Sequence, residues 1–159
     1  MLIEASPSNL EKCIRNRSKK NIFEHCALVS PTFKLPYLEL IYSDLMTVSH
    51  ESADIDPIRH AKDGLKFFKG INYNFLSPAR TLSEILEKNA ITKVNLLSID
   101  IEGGELAALK GIDFESVVID NILIESRNIE EINDYLSKYN FSLLEKLTHH
   151  DYLFIKNKD

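Results

Sequence analysis

No apolar run in this sequence reaches the ~20 residues that a bilayer-spanning helix needs. The opening stretch MLIEASPSN has no basic region followed by a long apolar segment, so a signal peptide is not expected. Cysteine is scarce. Cys13 and Cys26 are the two present, and they make no C-x-x-C pair. They read as buried free thiols of a cytoplasmic protein, with a disulfide or a catalytic thiol as the alternative. Positive charge is not in excess either: the net charge is −5, so no global field draws the chain to nucleic acid or to an anionic membrane. One local basic run, Arg15 to Lys20, follows a helical pattern. It reads as a solvated helix end favoured by the dipole, with a phosphate-binding patch as its alternative. Internal repeats and low-complexity linkers are missing as well.

What is present suits one domain over residues 1–159, because 44% hydrophobic content in 159 residues can build a sizeable core. MLIEA reads as a strand, Ser6 as a helix cap and Pro7 as the first helical residue. Leu10, Cys13 and Ile14 form the apolar stripe of that helix. Ile22–Ser30 and Leu35–Ser43 are strand-like. Residues 44–76 hold no sustained period and are expected to form an excursion or acceptor-side loop. Order returns at Thr81 and Glu84, whose spacing is that of a capping box, followed by the stripe Leu82, Ile85, Leu86. A strand from Val94 to Ile101 and a helix from Glu105 to Lys110 come next, with Gly111 as the stop. Ser116–Ser126 is a second buried strand. Asn128 caps a helix with the stripe Ile129, Ile132, Tyr135, Leu136 and Tyr139. The runs FSLLEKL and DYLFIKN close the chain as a hairpin. Alternating strands and helices predict an α/β sheet, mostly parallel, with an antiparallel edge from the hairpin.

The chemistry concentrates at the end of the strand Val94–Ile101. Asp100 stands where open α/β sheets bind ligands, beyond the carboxyl end of a strand. Gly103 and Gly104 let another group approach the backbone, and Glu102 and Glu105 lie at a helix N-terminus. Dipole stabilisation of roughly 0.3–1 kcal/mol each accounts for the two glutamates without a function. It accounts less well for Asp100, because burying an unpaired charge is costly.

The segment LLSIDIEGGELAALKGIDF resembles the signature of the FkbM-type methyltransferases: an apolar strand, D-x-E-G-x-E, and a short helix ending in Lys-Gly. SPARTLSEIL is similar to the family's Pro-x-x-Thr-Leu segment. NILIES is similar to its next strand, ending here in Glu125, and YLSKYNFSLLEKLTHHDYLFIKN to its C-terminal helix and hairpin. The resemblance implies a Rossmann-like class I methyltransferase sheet of seven strands. It implies S-adenosylmethionine as cofactor and O-methylation of a hydroxyl on a sugar or other small metabolite, with no nucleic acid or membrane partner. On that map Glu4, Ala27, Leu28 and Asp100 bind the cofactor, with Glu4 on the ribose and Ala27 and Leu28 near the adenine. Asp100, Glu102 and Glu105 carry the catalytic roles, and no metal is expected. The family's first strand and its glycine-rich loop would lie before Met1. The expected consequences are re-paired strands, a strand borrowed in a homo-oligomer, or a longer natural product. A non-catalytic binding or assembly module is the rival function.

Other clusters are weaker. His149, His150 and Asp151 fall in the hairpin turn, and adjacent strand histidines point to opposite faces, so turn chemistry outweighs a metal site. His25 is expected as a hydrogen-bonded core histidine rather than a ligand. Tyr37, Tyr42, Phe67, Phe68, Tyr73 and Phe75 are candidates for an acceptor pocket, with core packing as the default for aromatics.

Overall fold

The structure is a computed structural model that describes residues 1–52, 55–67 and 69–157. Its strands are β1 (Leu2–Glu4), β2 (Phe23–His25), β3 (Ala27–Leu28), β4 (Tyr37–Tyr42), β5 (Val48–Ser49), β6 (Tyr73–Arg80), β7 (Lys93–Ile99), β8 (Val118–Glu125), β9 (Phe141–Lys146) and β10 (Asp151–Lys156). Its α-helices are α1 (Pro7–Asn16), α2 (Pro57–Gly64), α3 (Leu82–Lys88), α4 (Glu105–Lys110) and α5 (Ile129–Ser137). None is long and apolar enough to cross a membrane.

The caps read from the sequence form. The Ser6 side chain accepts from the Asn9 amide, Thr81 and Glu84 close a capping box, and Asn128 accepts from Glu131 N. α3, α4 and α5 press Leu82, Leu86, Ala108, Leu109, Ile132 and Leu136 onto one face of the sheet, where Ile99, Ile122, Ile124 and Phe154 meet them. Complete burial of each large side chain contributes roughly 1.5–3 kcal/mol, which makes this the main core of the chain.

The sheet is not the mostly parallel one expected. The strands form three mixed or separate sheets, ordered β1-β2, β7-β8-β10-β9 and β3-β6-β4-β5. β1 with β2, β3 with β6, and β7 with β8 run parallel, whereas β10 lies antiparallel to both β8 and β9. β4 and β6 are antiparallel over six residue pairs, from Tyr37 opposite Pro78 to Tyr42 opposite Tyr73. The excess of antiparallel pairing comes from the 44–76 segment. That segment, expected as an excursion or acceptor-side loop, carries a 3-10 turn at Asp44–Met46, β5, α2 and the start of β6 among its described residues. β6 hides in sequence because Pro78 lies inside it, and proline normally argues against a central strand.

Other expectations need correction. Ile22–Ser30 is broken into β2 and β3 at Cys26. On α1 the buried residue is Asn9, while Cys13 is half-buried and Ile14 is 48% exposed. The reason is that α1 packs mainly on short β1 and β2, which offer little apolar surface. Asn9 instead reaches the Asp44 carbonyl at 3.0 Å, tying α1 to the inserted segment. His25 is exposed, its Nε2 3.0 Å from the Ala5 carbonyl, because β2 ends there at the sheet margin. Gly111 ends α4 as expected, but at φ −77°. Its need for glycine is steric: a Cβ would lie 2.7 Å from the Val29 carbonyl oxygen and 3.1 Å from that of Ala108. Gly111→Ala is therefore expected to lower stability by about 1–3 kcal/mol, the usual cost of overpacking. Chemical denaturation measures it, and a change under a few tenths of a kcal/mol would refute the contact.

Candidate functional site

β7 delivers its chain end to a tight acidic turn. Glu102 adopts φ +54° and Gly103 φ +92°. A non-glycine residue in the left-handed region costs of order 1 kcal/mol or more and persists only where the surroundings enforce it. Here Glu105 enforces it. This side chain is 7% exposed, and its Oε1 accepts from Ile101 N at 3.1 Å and Gly103 N at 3.0 Å. From the other side the Ser52 hydroxyl donates to the Glu102 carbonyl at 3.1 Å. Ile55 packs so closely that a Cβ on Gly103 would sit 3.0 Å from its Cδ1. Glycine is thus demanded at 103 by both conformation and space.

Four carboxylates meet at this turn. Asp100 and Glu125, at the ends of the paired strands β7 and β8, share a hydrogen bond that lowers Asp100 and raises Glu125. Burial nevertheless leads in both and lifts both above the ordinary range, with Asp151 adding to the push on Asp100. Burial is also the first cause at Glu102, followed by the charges of Asp100 and Glu125. Together they push it up to about 7, against a counteracting Arg127. Glu105 is raised by burial, while its backbone hydrogen bonds pull the other way. Asp100, Glu102, Glu105, Glu125 and Arg127 line a recess of about 10 Å³, room for roughly one water-sized probe.

Beside it opens a cleft of about 310 Å³. Glu4 from the end of β1, Cys26, Ala27 and Leu28 from the β2–β3 exit, and Asp100 and Glu102 from the turn all line it. Leu38 and Leu40 of β4 add apolar wall. Glu4 Oε1 accepts from Ser6 N at 2.7 Å, and burial raises this carboxyl. Burial, followed by the charge of Glu24, pushes the Cys26 thiol up to about 11, so it stays protonated at neutral pH and is a poor nucleophile.

The residues singled out in the sequence therefore separate. Glu4, Ala27, Leu28, Asp100 and Glu102 come together around one cleft, whereas Glu105 turns inward to hold the backbone. Tyr42, Tyr73 and Phe75 stack across β4 and β6, with Tyr42 and Tyr73 ring centroids 4.9 Å apart. Tyr37 and Phe67 are exposed, and Phe68 lies outside the described residues. His149 and His150 occupy the β9–β10 turn. Sequence reasoning passed over two neighbours of the acidic turn. Arg127 had no motif around it. His60 had one, because Asp56-Pro57 is a helix start and places His60 one turn in.

The acidic turn at the end of β7, opening on a cleft with a second acidic strand end, lies where open α/β sheets bind ligands. A model of the methyltransferase FkbM domain matches residues 2–153, and the chain belongs to that family. No curated protein and no solved structure matches it.

The raised Glu102 makes a stability prediction. Ionising it is harder in the folded chain than in the unfolded one, whose value is near 4.5. Folding feels no penalty below that value, accrues one as pH rises, and bears it fully above about 7. Glu102→Gln should therefore be more stable than the wild type near pH 8, by on the order of 3 kcal/mol, and close to it near pH 4. Thermal unfolding at the two pH values reads this out. An equal difference at both would contradict a buried, raised Glu102.

Proposed function

We propose that this domain is an S-adenosylmethionine-dependent methyltransferase that transfers a methyl group to a hydroxyl of a sugar or another small metabolite. The observation that carries the proposal is the single cleft lined by Glu4, Ala27, Leu28, Asp100 and Glu102. Its chemistry fits the cofactor. A carboxylate at a strand end suits vicinal ribose hydroxyls, apolar walls suit a purine, and an acidic turn suits an ammonium group and a hydroxyl proton.

When bound, the cofactor would supply an electrophilic methyl on sulfonium. The residues of this chain do the rest. Glu4 would accept from the ribose hydroxyls, keeping its other oxygen on Ser6 N. Ala27, Leu28 and Leu40 would exclude water from one side of the cleft. Asp100, hydrogen-bonded to Glu125, would accept from a donor at the turn. Glu102 would take the proton leaving the acceptor hydroxyl, and a value near 7 is close to ideal for a base at neutral pH. Glu105 keeps the turn in place and stays out of the reaction. Holding the two reactants in line is the larger part of the work, because methyl transfer to oxygen needs alignment more than further activation.

Calorimetry with S-adenosylhomocysteine tests the reading. Saturable heat at micromolar ligand is expected, and Glu4→Gln should weaken binding about tenfold through loss of a charged hydrogen bond. Glu102→Gln should leave that affinity within about twofold but slow methyl transfer by roughly 10²–10⁴, the usual worth of a general base. No heat from folded protein at high micromolar ligand would rule out cofactor binding and leave the non-catalytic module as the better reading.

A further inference from the structure

His60 is a buried imidazole that the proposed reaction has not yet used. It lies on α2, a helix started by Asp56, whose carboxylate accepts from the amides of Ile58 and Arg59 at 3.1 Å each, and by Pro57. The side chain is more than nine-tenths buried, and the residue as a whole is 6% exposed. Its Nε2 stands 3.0 Å from Glu102 Oε2, yet this buried nitrogen has no aligned hydrogen-bond partner among the described residues. Buried polar atoms are nearly always satisfied, so one left out of alignment beside a site carboxylate calls for a reason. Catalytic hydrogen bonds are often poorly aligned without ligand and tighten when it binds.

His60 also does not arrive alone. Ser52 and Ile55 belong to the same segment between β5 and β6, and both grip the Glu102–Gly103 turn. α2 is fixed in turn from below: the Ser43 hydroxyl donates to the Ala61 carbonyl at 2.9 Å, as does the Asn72 amide at 2.7 Å. The segment thus acts as a clamp on the acidic turn rather than a loose cover over the cleft.

We propose that His60 is a positioning residue for Glu102, donating Nε2–H to one carboxylate oxygen so that the other is held ready for the proton of the acceptor hydroxyl. The role rests on the methyltransferase reading above. In the balanced step, the acceptor oxygen bonds to the methyl carbon, and the carbon–sulfur pair stays on sulfur, which becomes a neutral thioether. The hydroxyl proton passes to Glu102, and His60 keeps its own proton throughout. The imidazole must therefore stay neutral. Burial and the nearby Arg127 lower its proton affinity, and Asp63 on the same helix opposes them. Around Glu102 the facing groups are Asp100, Glu125, Glu105 and Arg127.

The test is a carboxyl-carbon NMR titration of Glu102 in the full chain, comparing the wild type with His60→Leu and His60→Gln. Losing the donor should make Glu102 hold its proton about tenfold more tightly in His60→Leu, while the amide of His60→Gln should restore most of the wild-type titration. Identical titrations in all three proteins would overturn the proposal. Should His60→Leu fail to fold, Glu102→Gln gives an independent reading. The ring-nitrogen resonances of His60 should then move away from those of an Nε2–H donor bonded to a carboxylate, and unchanged resonances would equally overturn it. Calorimetry with S-adenosylhomocysteine separates the two readings. Heat from the wild type together with an unresponsive titration sinks the role of His60 alone. No heat removes the reaction, and with it the positioning role of His60 in that reaction, even where the titration still reports the pair.

Discussion

The site depends on one buried carboxylate that does no chemistry in the proposed reaction. Glu105 places Oε1 under the turn and accepts from the amides of Ile101 and Gly103. Without those two bonds, nothing in the sequence of the turn would keep Glu102 at φ +54°, since a glutamate pays for the left-handed region where glycine does not. The position of Glu105 is itself dictated by α4, which starts there and buries Ala108 and Leu109 in the main core. A core contact one turn away thus fixes a helix start, the helix start fixes a carboxylate, and the carboxylate fixes the backbone that presents Asp100 and Glu102.

Crowding four carboxylates at one point is unfavourable to folding, and the fold relieves it in three distinct ways. Asp100 and Glu125 share a hydrogen bond, so only one of that pair needs to be ionised. Glu105 replaces water with backbone donors. Glu102 has neither device, and burial with the charges of Asp100 and Glu125 pushes it up to about 7. It is held between the opposing charge of Arg127 and the imidazole of His60. The strain at this site is concentrated on the one carboxylate that the chemistry would need near neutrality.

Legibility from sequence followed the range of the interactions. The caps at Ser6, Thr81 and Asn128, the helix Glu105–Lys110 and the stripe Leu82, Ile85, Leu86 were readable because each is set by residues within one or two turns. The acidic turn was readable because its charges and glycines are contiguous. The pairing of β6 with β3 and β4 was not. It joins residues 31 to 52 positions apart, and Pro78 contradicts it locally. That one strand makes its sheet mixed, parallel to β3 and antiparallel to β4. His60 was hidden for the same reason: it lies 42 positions from Glu102, and the helix that brings them together is visible only as an Asp-Pro start in an otherwise aperiodic segment.

One further constraint explains how the cleft can exist at all. Its two acidic walls, Glu4 on β1 and Asp100 after β7, belong to separate sheets, with no ladder between β1 and β7 among the described residues. Backbone hydrogen bonds, which fix neighbouring strands about 4.8 Å apart, do not set this spacing. Side chains do. Ile3 of β1 and Leu28 of β3 pack against the core beneath β7 and β8. Glu24 of β2 accepts from Lys88 Nζ and Asn89 Nδ2, each at 2.8 Å, at the end of α3. α3 in turn buries Leu82 and Leu86 in that same core. A gap held by packing and a polar clamp can be wider than a strand spacing and remain open, as a cleft with a carboxylate on each wall requires.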